Sequence, residues 1–219
     1  IHYFIWQGIN YRDLKCGLHL PLNKKAEKKF IESKESLNQL YNNCAGKHLG
    51  MITGCLSKNY PIDNYLSFNH PYQIEIRKIF NKFTESKITR INYGVDGCSA
   101  PQYSFKIKHI SKALNNLIKS YNKKFHYNKE VKLLINSILK NPKYIGGSDS
   151  LDSKIMQITN KKIFCKGGAE GVFLFGQLEK GTTGVLKVED GNERALGPVL
   201  LYLLSKYKII NQNEIKMIN

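Results

Sequence analysis

The feature that most constrains the fold of this chain is a change in hydrophobic period near residue 160. Before it, apolar residues recur at the spacing of one helical face, in segments at 24–40, 46–57, 70–83, 107–121 and 129–139. After it come short runs of β-forming residues between glycine-rich turns, at 163–165, 172–178 and 183–188. The first pattern predicts helices and the second predicts an antiparallel meander, so the predicted class is α+β.

Two further elements complete this prediction. A β-like run is expected at 88–93, and a last helix at 195–207 carries apolar residues on nearly every side. Because such a helix is normally buried, we expect it to pack across the meander. A chain of 219 residues with 42% hydrophobic content can bury a full core. We therefore predict one globular unit over 1–219, mainly helical over 1–160, with the strands and terminal helix over 161–219.

The charge of the chain bears on its partners. A formal net charge of +17, from 34 basic and 17 acidic side chains, raises the question of nucleic acid. The lysines are scattered along the whole chain, whereas nucleic-acid binding needs a clustered basic face. A basic nucleic-acid-binding protein is therefore kept only as an alternative. No membrane partner is expected, because the longest apolar run, 199–204, is far shorter than the roughly 18 to 20 residues of a spanning helix.

The cysteines and the start of the chain bear on its compartment. The five cysteines are odd in number and form no paired CxxC units, which favours reduced thiols in the cytoplasm over a disulfide scaffold. The sequence starts at Ile1, without an initiator Met or a charged leader. We interpret this start as a cut end.

The segment around Cys44 carries the densest chemistry. Asparagines before it and a glycine after it predict a turn that enters a helix, whose free N–H groups and dipole would leave Cys44 partly thiolate. Lys47 and His48 follow on the same helical face. Three interpretations stay open: a zinc site of Cys44 and His48 to which Cys98 adds a thiolate, a Cys44 nucleophile beside His48, or a buried cysteine beside two solvated side chains.

A family resemblance adds to this picture. The run Asn-Asn-Cys-Ala-Gly-Lys-His-Leu-Gly-Met at 42–51 resembles the Asn-Asn-Cys-Ser-Gly-Lys-His-Ala-Gly-Met signature of the bacterial, rhizobial-type L-asparaginases, the asparaginase II family. Segments similar to the companion motifs of that family appear in order along the chain, one before the signature at 16–21 and the others after it, at 65–66, 69–73, 96–101, 141–147, 166–172 and 189–195. The resemblance covers nearly the whole chain.

The resemblance implies an amidohydrolase that converts L-asparagine and water to L-aspartate and ammonia, with a fold similar to serine β-lactamases and glutaminases. In that architecture a lysine on a sheet strand lies beside the Ser-x-x-Lys nucleophile, and Lys166 stands where it is expected. A desolvated lysine amine can take a proton from a serine hydroxyl, so Lys166 is the predicted catalytic residue. Gly168 and Glu170 in the same segment are predicted to bind substrate.

The resemblance also implies a zinc ion held by Cys44, Lys47 and Cys98, which tunes substrate binding and is not essential to the chemistry. Lysine can bind a metal only as the neutral amine. His48 is then assigned a supporting or substrate-orienting role. Asp96 is the predicted anchor for the substrate α-ammonium, and the family implies a homodimer.

The sequence departs from the family pattern at several points. Its Ser-x-x-Lys nucleophile and first strands belong to an N-terminal region that these 219 residues do not contain, and Ser137 to Lys140 is read as a chance match. Ala45 replaces the serine of the signature, and Gly167 lacks the hydroxyl of a Lys-Thr-Gly motif. We therefore predict that residues 1–219 alone are inactive and poorly soluble. A decayed, non-catalytic relative is the alternative.

Overall fold

The computed structural model describes residues 8–218, so Ile1 lies outside the described part of the chain. The chain divides into two compact units, Ile1–Lys82 with Lys87–Ser104 and Phe83–Ser86 with Phe105–Asn219. Each unit has its own cluster of buried apolar residues. Each unit is therefore described separately.

The first unit contains helices and one short hairpin. Its elements are α1 (Lys24–Ser33), α2 (Ala45–Ser57), α3 (Pro71–Thr84), β1 (Tyr93–Val95) and β2 (Pro101–Tyr103). Strands β1 and β2 pair antiparallel, with Tyr93 opposite Tyr103. Helix α2 provides much of the buried core, since Leu49, Met51, Ile52 and Cys55 all point into it.

The predicted helices at 46–57 and 70–83 are confirmed, while two predicted boundaries in this unit are wrong. Helix α1 stops at Ser33 rather than Leu40, because Lys34 adopts a left-handed conformation that ends the helix. The expected strand at 88–93 is instead a 3-10 turn, and β1 begins only at Tyr93. Asn92 accepts hydrogen bonds from both the backbone and the hydroxyl of Thr89 there, which diverts the backbone from an extended path.

The second unit contains the remaining helices and a three-stranded sheet. Its elements are α4 (Ile107–Asn122), α5 (Asn128–Lys140), α6 (Lys143–Gly146), α7 (Leu151–Ile158), β3 (Ile163–Gly168), β4 (Val172–Gln177), β5 (Thr183–Lys187), α8 (Leu196–Lys206) and α9 (Gln212–Ile218). The strands form the predicted antiparallel meander in the order β3, β4, β5. The predicted α+β class is therefore confirmed.

Helix α4 lies directly against β4 and β5, and α7 lies against β3. The sequence also assigned a place across the meander to α8. The leucines of α8 do join the same buried core, but Val199 and Tyr202 on its other faces are exposed. Helix α4 fits the sheet because Gly176 in β4 has no side chain, which lets Ile118 approach its backbone closely.

Within residues 8–218, no helix has both the length and the apolar character that crossing a bilayer requires.

The contact between Ile118 and Gly176 yields a testable prediction. A Cβ added to Gly176 would lie 2.6 Å from two Ile118 side-chain carbons, so Gly176→Ala should lower the free energy of unfolding by about 1–3 kcal/mol. The matched control is Gly50→Ala in the exposed face of α2, where an added Cβ meets nothing within 4 Å; it should stabilise by up to about 1 kcal/mol. Urea unfolding measures both, and equal behaviour of the two variants would contradict this packing.

Candidate functional site

Cys44 is held at the start of α2 by the asparagine two residues before it. It is the N-cap residue of the helix, and its N–H donates to Asn42 Oδ1 at 2.8 Å. The amide nitrogen of the same buried asparagine donates to the Cys16 carbonyl at 2.7 Å. The motif segments at 16–21 and 42–51 therefore meet in space, and Asn42 joins them.

Asp96 and Cys98 lie on the loop between β1 and β2. The loop is closed by the Asp96 N–H, which donates to the Ala100 carbonyl at 2.9 Å, and Ser99 adopts a left-handed conformation at its tip. Asp96 Oδ1 accepts the Gly97 N–H at 2.8 Å. This tight loop fixes the direction of both side chains toward the start of α2.

The structure brings four of the predicted residues together in this unit. Ligand atoms of Cys44, Asp96 and Cys98 all lie within 4.8 Å of one another. Lys47 Nζ lies 3.2 Å from Asp96 Oδ2, and the Cys98 thiol donates to the same oxygen at 3.4 Å. The side chains of Lys47 and Asp96 are 44% and 40% exposed, so a small molecule can reach the cluster from solvent.

These contacts determine the protonation states of Asp96 and Lys47. Burial opposes ionisation of Asp96, but hydrogen bonds from Lys47, Cys98 and Gly97 outweigh it and lower the pKa of the carboxyl. Burial also opposes the charge of Lys47, yet its contacts with Cys98 and Asp96 raise the pKa of the amine. Asp96 and Lys47 therefore form an ion pair at neutral pH.

The prediction that Cys44 is partly thiolate was wrong for this arrangement. Burial, followed by the hydrogen bond with the Cys98 thiol, raises the pKa of Cys44 to about 11. The helix dipole favours a thiolate only weakly, and half-burial beside a second sulfur outweighs it. Cys44 is therefore a neutral thiol here.

His48 is fully buried and has a single defined tautomer. The Tyr65 hydroxyl accepts the Lys15 N–H at 3.0 Å, and among the described residues the acceptor available to its own proton is His48 Nδ1, at 2.5 Å. Tyr65 thus donates to Nδ1, which leaves the ring proton on Nε2. Nε2 faces the backbone of Cys98 and completes no hydrogen bond of ordinary geometry.

This tautomer bears on the three interpretations of the Cys44 segment. Burial, and then the nearby Lys47 ammonium, lower the pKa of His48 to about 4, so the ring is neutral. Neither ring nitrogen offers a free lone pair to a metal, and neither pairs with the Cys44 thiol. His48 lies next to the loop that carries Cys98, and its supporting role stays a prediction.

The donor set itself fits a zinc ion. Tetrahedral zinc takes thiolate, nitrogen and carboxylate ligands at about 2.0–2.3 Å from the metal, which places ligand atoms under about 4 Å apart. The ligand atoms of Cys44, Asp96 and Cys98 lie within 4.8 Å of one another, and Lys47 Nζ contacts Cys98 and Asp96. The two thiols and the Lys47 amine thus suit the zinc ligands that the family resemblance implies, with Asp96 beside them.

The other predicted site residues lie in the second unit. Lys166 is on β3, and its Nζ lies 3.5 Å from Asp152 Oδ2. Gly168 ends that strand, and the exposed Glu170 occupies the tight turn to β4 in a left-handed conformation. The structure therefore places Lys166, Gly168 and Glu170 along one strand and its turn.

The Ser-x-x-Lys match at 137–140 has no catalytic geometry. Ser137 is exposed on α5 and donates its hydroxyl proton to the Leu133 carbonyl at 2.7 Å. This is the ordinary back-bond of a serine within a helix. Lys140 is equally exposed at the end of the helix, which agrees with the prediction of a chance match.

Sequence reasoning missed the roles of two buried residues at these sites, Tyr65 and Asp152. Tyr65 lies in the motif segment at 65–66, but the pattern of apolar and polar residues does not show which hydroxyl forms a hydrogen bond with a histidine. Asp152 lies four residues before Met156 on a short helix that was not predicted. A buried acidic residue flanked by apolar positions was the available signal.

The fold and the site together define the class: an α+β protein with a cluster of cysteine, lysine and aspartate side chains at the start of a helix. Over residues 5–219 the chain matches the sequence model of the L-asparaginase II family. It therefore belongs to that family. No individual curated protein matches the chain closely enough to serve as a relative.

The hydrogen bonds of the Tyr65 hydroxyl give a prediction on stability. Tyr65→Phe removes the partner of the Lys15 N–H and of the fully buried His48 Nδ1, so it should lower the free energy of unfolding by about 1–3 kcal/mol. The control is Tyr103→Phe in the same unit, whose buried hydroxyl has no hydrogen-bond partner; it should be neutral or slightly stabilising. Chemical denaturation compares the two, and a larger loss for Tyr103→Phe would refute this assignment.

Proposed function

We propose that this protein is an L-asparaginase, which hydrolyses L-asparagine to L-aspartate and ammonia in the cytoplasm. The observation that carries the proposal is the solvent-accessible cluster of Cys44, Lys47, Asp96 and Cys98 within a chain of the L-asparaginase II family. The described cysteines are all free thiols, which suits a reducing compartment. The serine β-lactamase-like architecture belongs to the same proposal.

Asp96 is the proposed anchor for the α-ammonium group of the substrate. It is ionised and already holds one ammonium, the Nζ of Lys47, at 3.2 Å. A substrate ammonium offers the same charge and the same N–H donors. Asp96 can therefore exchange one cationic partner for the other without a change in its own charge.

Zinc is the proposed metal, with Cys44, Lys47 and Cys98 as ligands. Bound there, it would supply a fixed positive charge that tunes substrate binding. To serve as a ligand, Lys47 would have to give up a proton, and its neutral amine would then no longer form an ion pair with Asp96. Asp96 would keep its charge for the substrate ammonium.

Lys166 is the proposed catalytic lysine beside the serine nucleophile, and it would have to release one proton to solvent before it could accept the serine proton. Gly168 and Glu170 are the proposed substrate-binding residues. The support is its place on β3, with a half-exposed amine, and the resemblance of the segment to the family motif.

The hydroxyls of Ser120 and Ser137, each the first residue of a Ser-x-x-Lys match, donate to helix carbonyls at 2.8 and 2.7 Å. We propose that neither serine is the nucleophile and, from the family resemblance, that residues 1–219 do not contain it.

The metal proposal predicts the zinc content of purified protein. The unchanged protein should carry about one zinc per chain, and Cys98→Ala and Lys47→Met should each lose most of it, because each removes one ligand from a small set. Asp96→Asn should keep it. The control is Cys55→Ala, since Cys55 lies in the core on the same helix as Lys47.

Mass spectrometry under native conditions measures the metal directly. Equal zinc in Cys98→Ala and Cys55→Ala would remove Cys98 from the ligand set. Loss of zinc in Asp96→Asn but not in Lys47→Met would make the carboxylate the third ligand.

The activity proposal predicts ammonia release from L-asparagine by the product of the complete gene. Asp96→Asn should raise KM about 10- to 100-fold, since it removes a charged partner of the substrate ammonium. The control is Glu75→Gln, a partly exposed carboxylate of the same unit that pairs with Lys58 at 2.8 Å; its KM should be unchanged. Residues 1–219 alone should show no turnover.

A coupled ammonia assay checks these outcomes. Saturable turnover by residues 1–219 alone would overturn the proposal that the nucleophile is absent from them. No turnover by the complete product would favour a decayed relative. Steeply salt-dependent binding to random DNA, with no hydrolysis, would favour the nucleic-acid alternative.

A further inference from the structure

The second unit contains a buried carboxylate that the proposed function does not use. Asp152 lies in the first turn of α7 and is 3% exposed. Its Oδ1 accepts the Ser153 N–H at 2.9 Å, and its Oδ2 accepts the Gly167 N–H of β3 at 3.1 Å. Both oxygens are therefore oriented by backbone donors, and one of these donors belongs to the residue that follows Lys166.

The surroundings leave this carboxylate little freedom. A Cβ on Gly146 would lie 2.0 Å from Asp152 Oδ1, so the carboxylate packs over a bare backbone. The neighbouring Ser153 donates its hydroxyl to the Pro142 carbonyl at 3.0 Å in a buried contact. The motif segments at 141–147 and 166–172 therefore meet at Asp152.

Asp152 and Lys166 form an ion pair in which the two side chains differ in solvent exposure. The carboxylate is buried, while the lysine side chain is 44% exposed, with Nζ 3.5 Å from Asp152 Oδ2. Nζ also donates to the Gly167 carbonyl at 2.5 Å. The amine thus contacts both the Asp152 carboxylate and the Gly167 carbonyl, and part of the lysine side chain still faces solvent.

The charge of Asp152 matches this role. Burial raises its pKa, but hydrogen bonds from its neighbours and the Lys166 charge together lower it below the ordinary value. A buried ionised carboxylate requires a cation or several hydrogen-bond donors, and here it has both.

We infer that Asp152 is the positioning residue for Lys166, holding the lysine amine and the adjoining Gly167 backbone in one orientation toward substrate. The inference rests on the proposed function, because it assigns Asp152 a part in the reaction only if Lys166 takes part. Asp152 itself need touch neither substrate nor nucleophile.

The test uses two neutral variants, Asp152→Asn and Asp152→Ser, in the product of the complete gene. Asparagine is nearly isosteric, and serine is smaller and cannot clash with Gly146, so one of them is expected to fold even if the other does not. Each should lower kcat about 100-fold while KM changes less than about 2-fold, because a misplaced amine slows the chemical step without altering substrate contacts.

The matched control is Glu214→Gln in the same unit. Glu214 is also mostly buried, pairs with Lys162 at 3.7 Å, and caps a helix through the Asn211 N–H. Its loss should reduce stability in thermal unfolding but leave kcat unchanged. A purely structural Asp152 would behave in the same way.

The outcomes separate this inference from the proposed function. If the unchanged protein releases no ammonia, or if Lys166→Met keeps full kcat, the proposed function or the role of Lys166 fails. If the unchanged protein is active, Lys166→Met is inactive, and a folded Asp152 variant keeps the original kcat, the positioning role of Asp152 is overturned. A lower kcat with a nearly unchanged KM in folded Asp152 variants, together with an unchanged kcat in Glu214→Gln, supports it.

Discussion

The site in the first unit depends on one buried chain of hydrogen bonds, from the Lys15 N–H through Tyr65 to His48. Both rings are fully buried, so each unmade bond in this chain would cost the desolvation of a polar group. The chain connects the segment at 15–21 to α2 and turns the ring proton toward the backbone of Cys98. The cluster on the surface rests on this interior arrangement.

The second unit also contains a buried polar residue, in this case the carboxylate of Asp152. Asp152 lies beneath β3 and collects backbone donors from α7 and β3, and its remaining attraction is for Lys166. In both units a buried polar residue lies beside a proposed site residue: His48 lies next to the Cys98 loop, and Asp152 lies next to Lys166. Asp152 has its hydrogen bonds made, and such a buried, satisfied group has one favoured geometry, which suits a residue that must hold a neighbour in place.

Much of the fold could be read from periodicity. The helices at 46–57, 70–83, 107–121 and 129–139 and the meander after residue 160 follow from spacing alone, since each buries one face. Helix α7 was missed because it is short, and the close packing of α4 on the sheet was missed because it depends on Gly176 and Ile118. Backbone approach at a glycine is a property of two segments together, which no single window reveals.

The sequence by itself determined the family, the α+β class and the residues that carry chemistry, because motif order and hydrophobic period are both local. Only the tertiary structure decided how those residues are charged and oriented. Cys44 is a neutral thiol because it is half-buried beside Cys98, and His48 carries its proton on Nε2 because Tyr65 occupies the other nitrogen. Protonation and tautomer depend on burial and on partners far away in the sequence, and these exist only once the chain has folded.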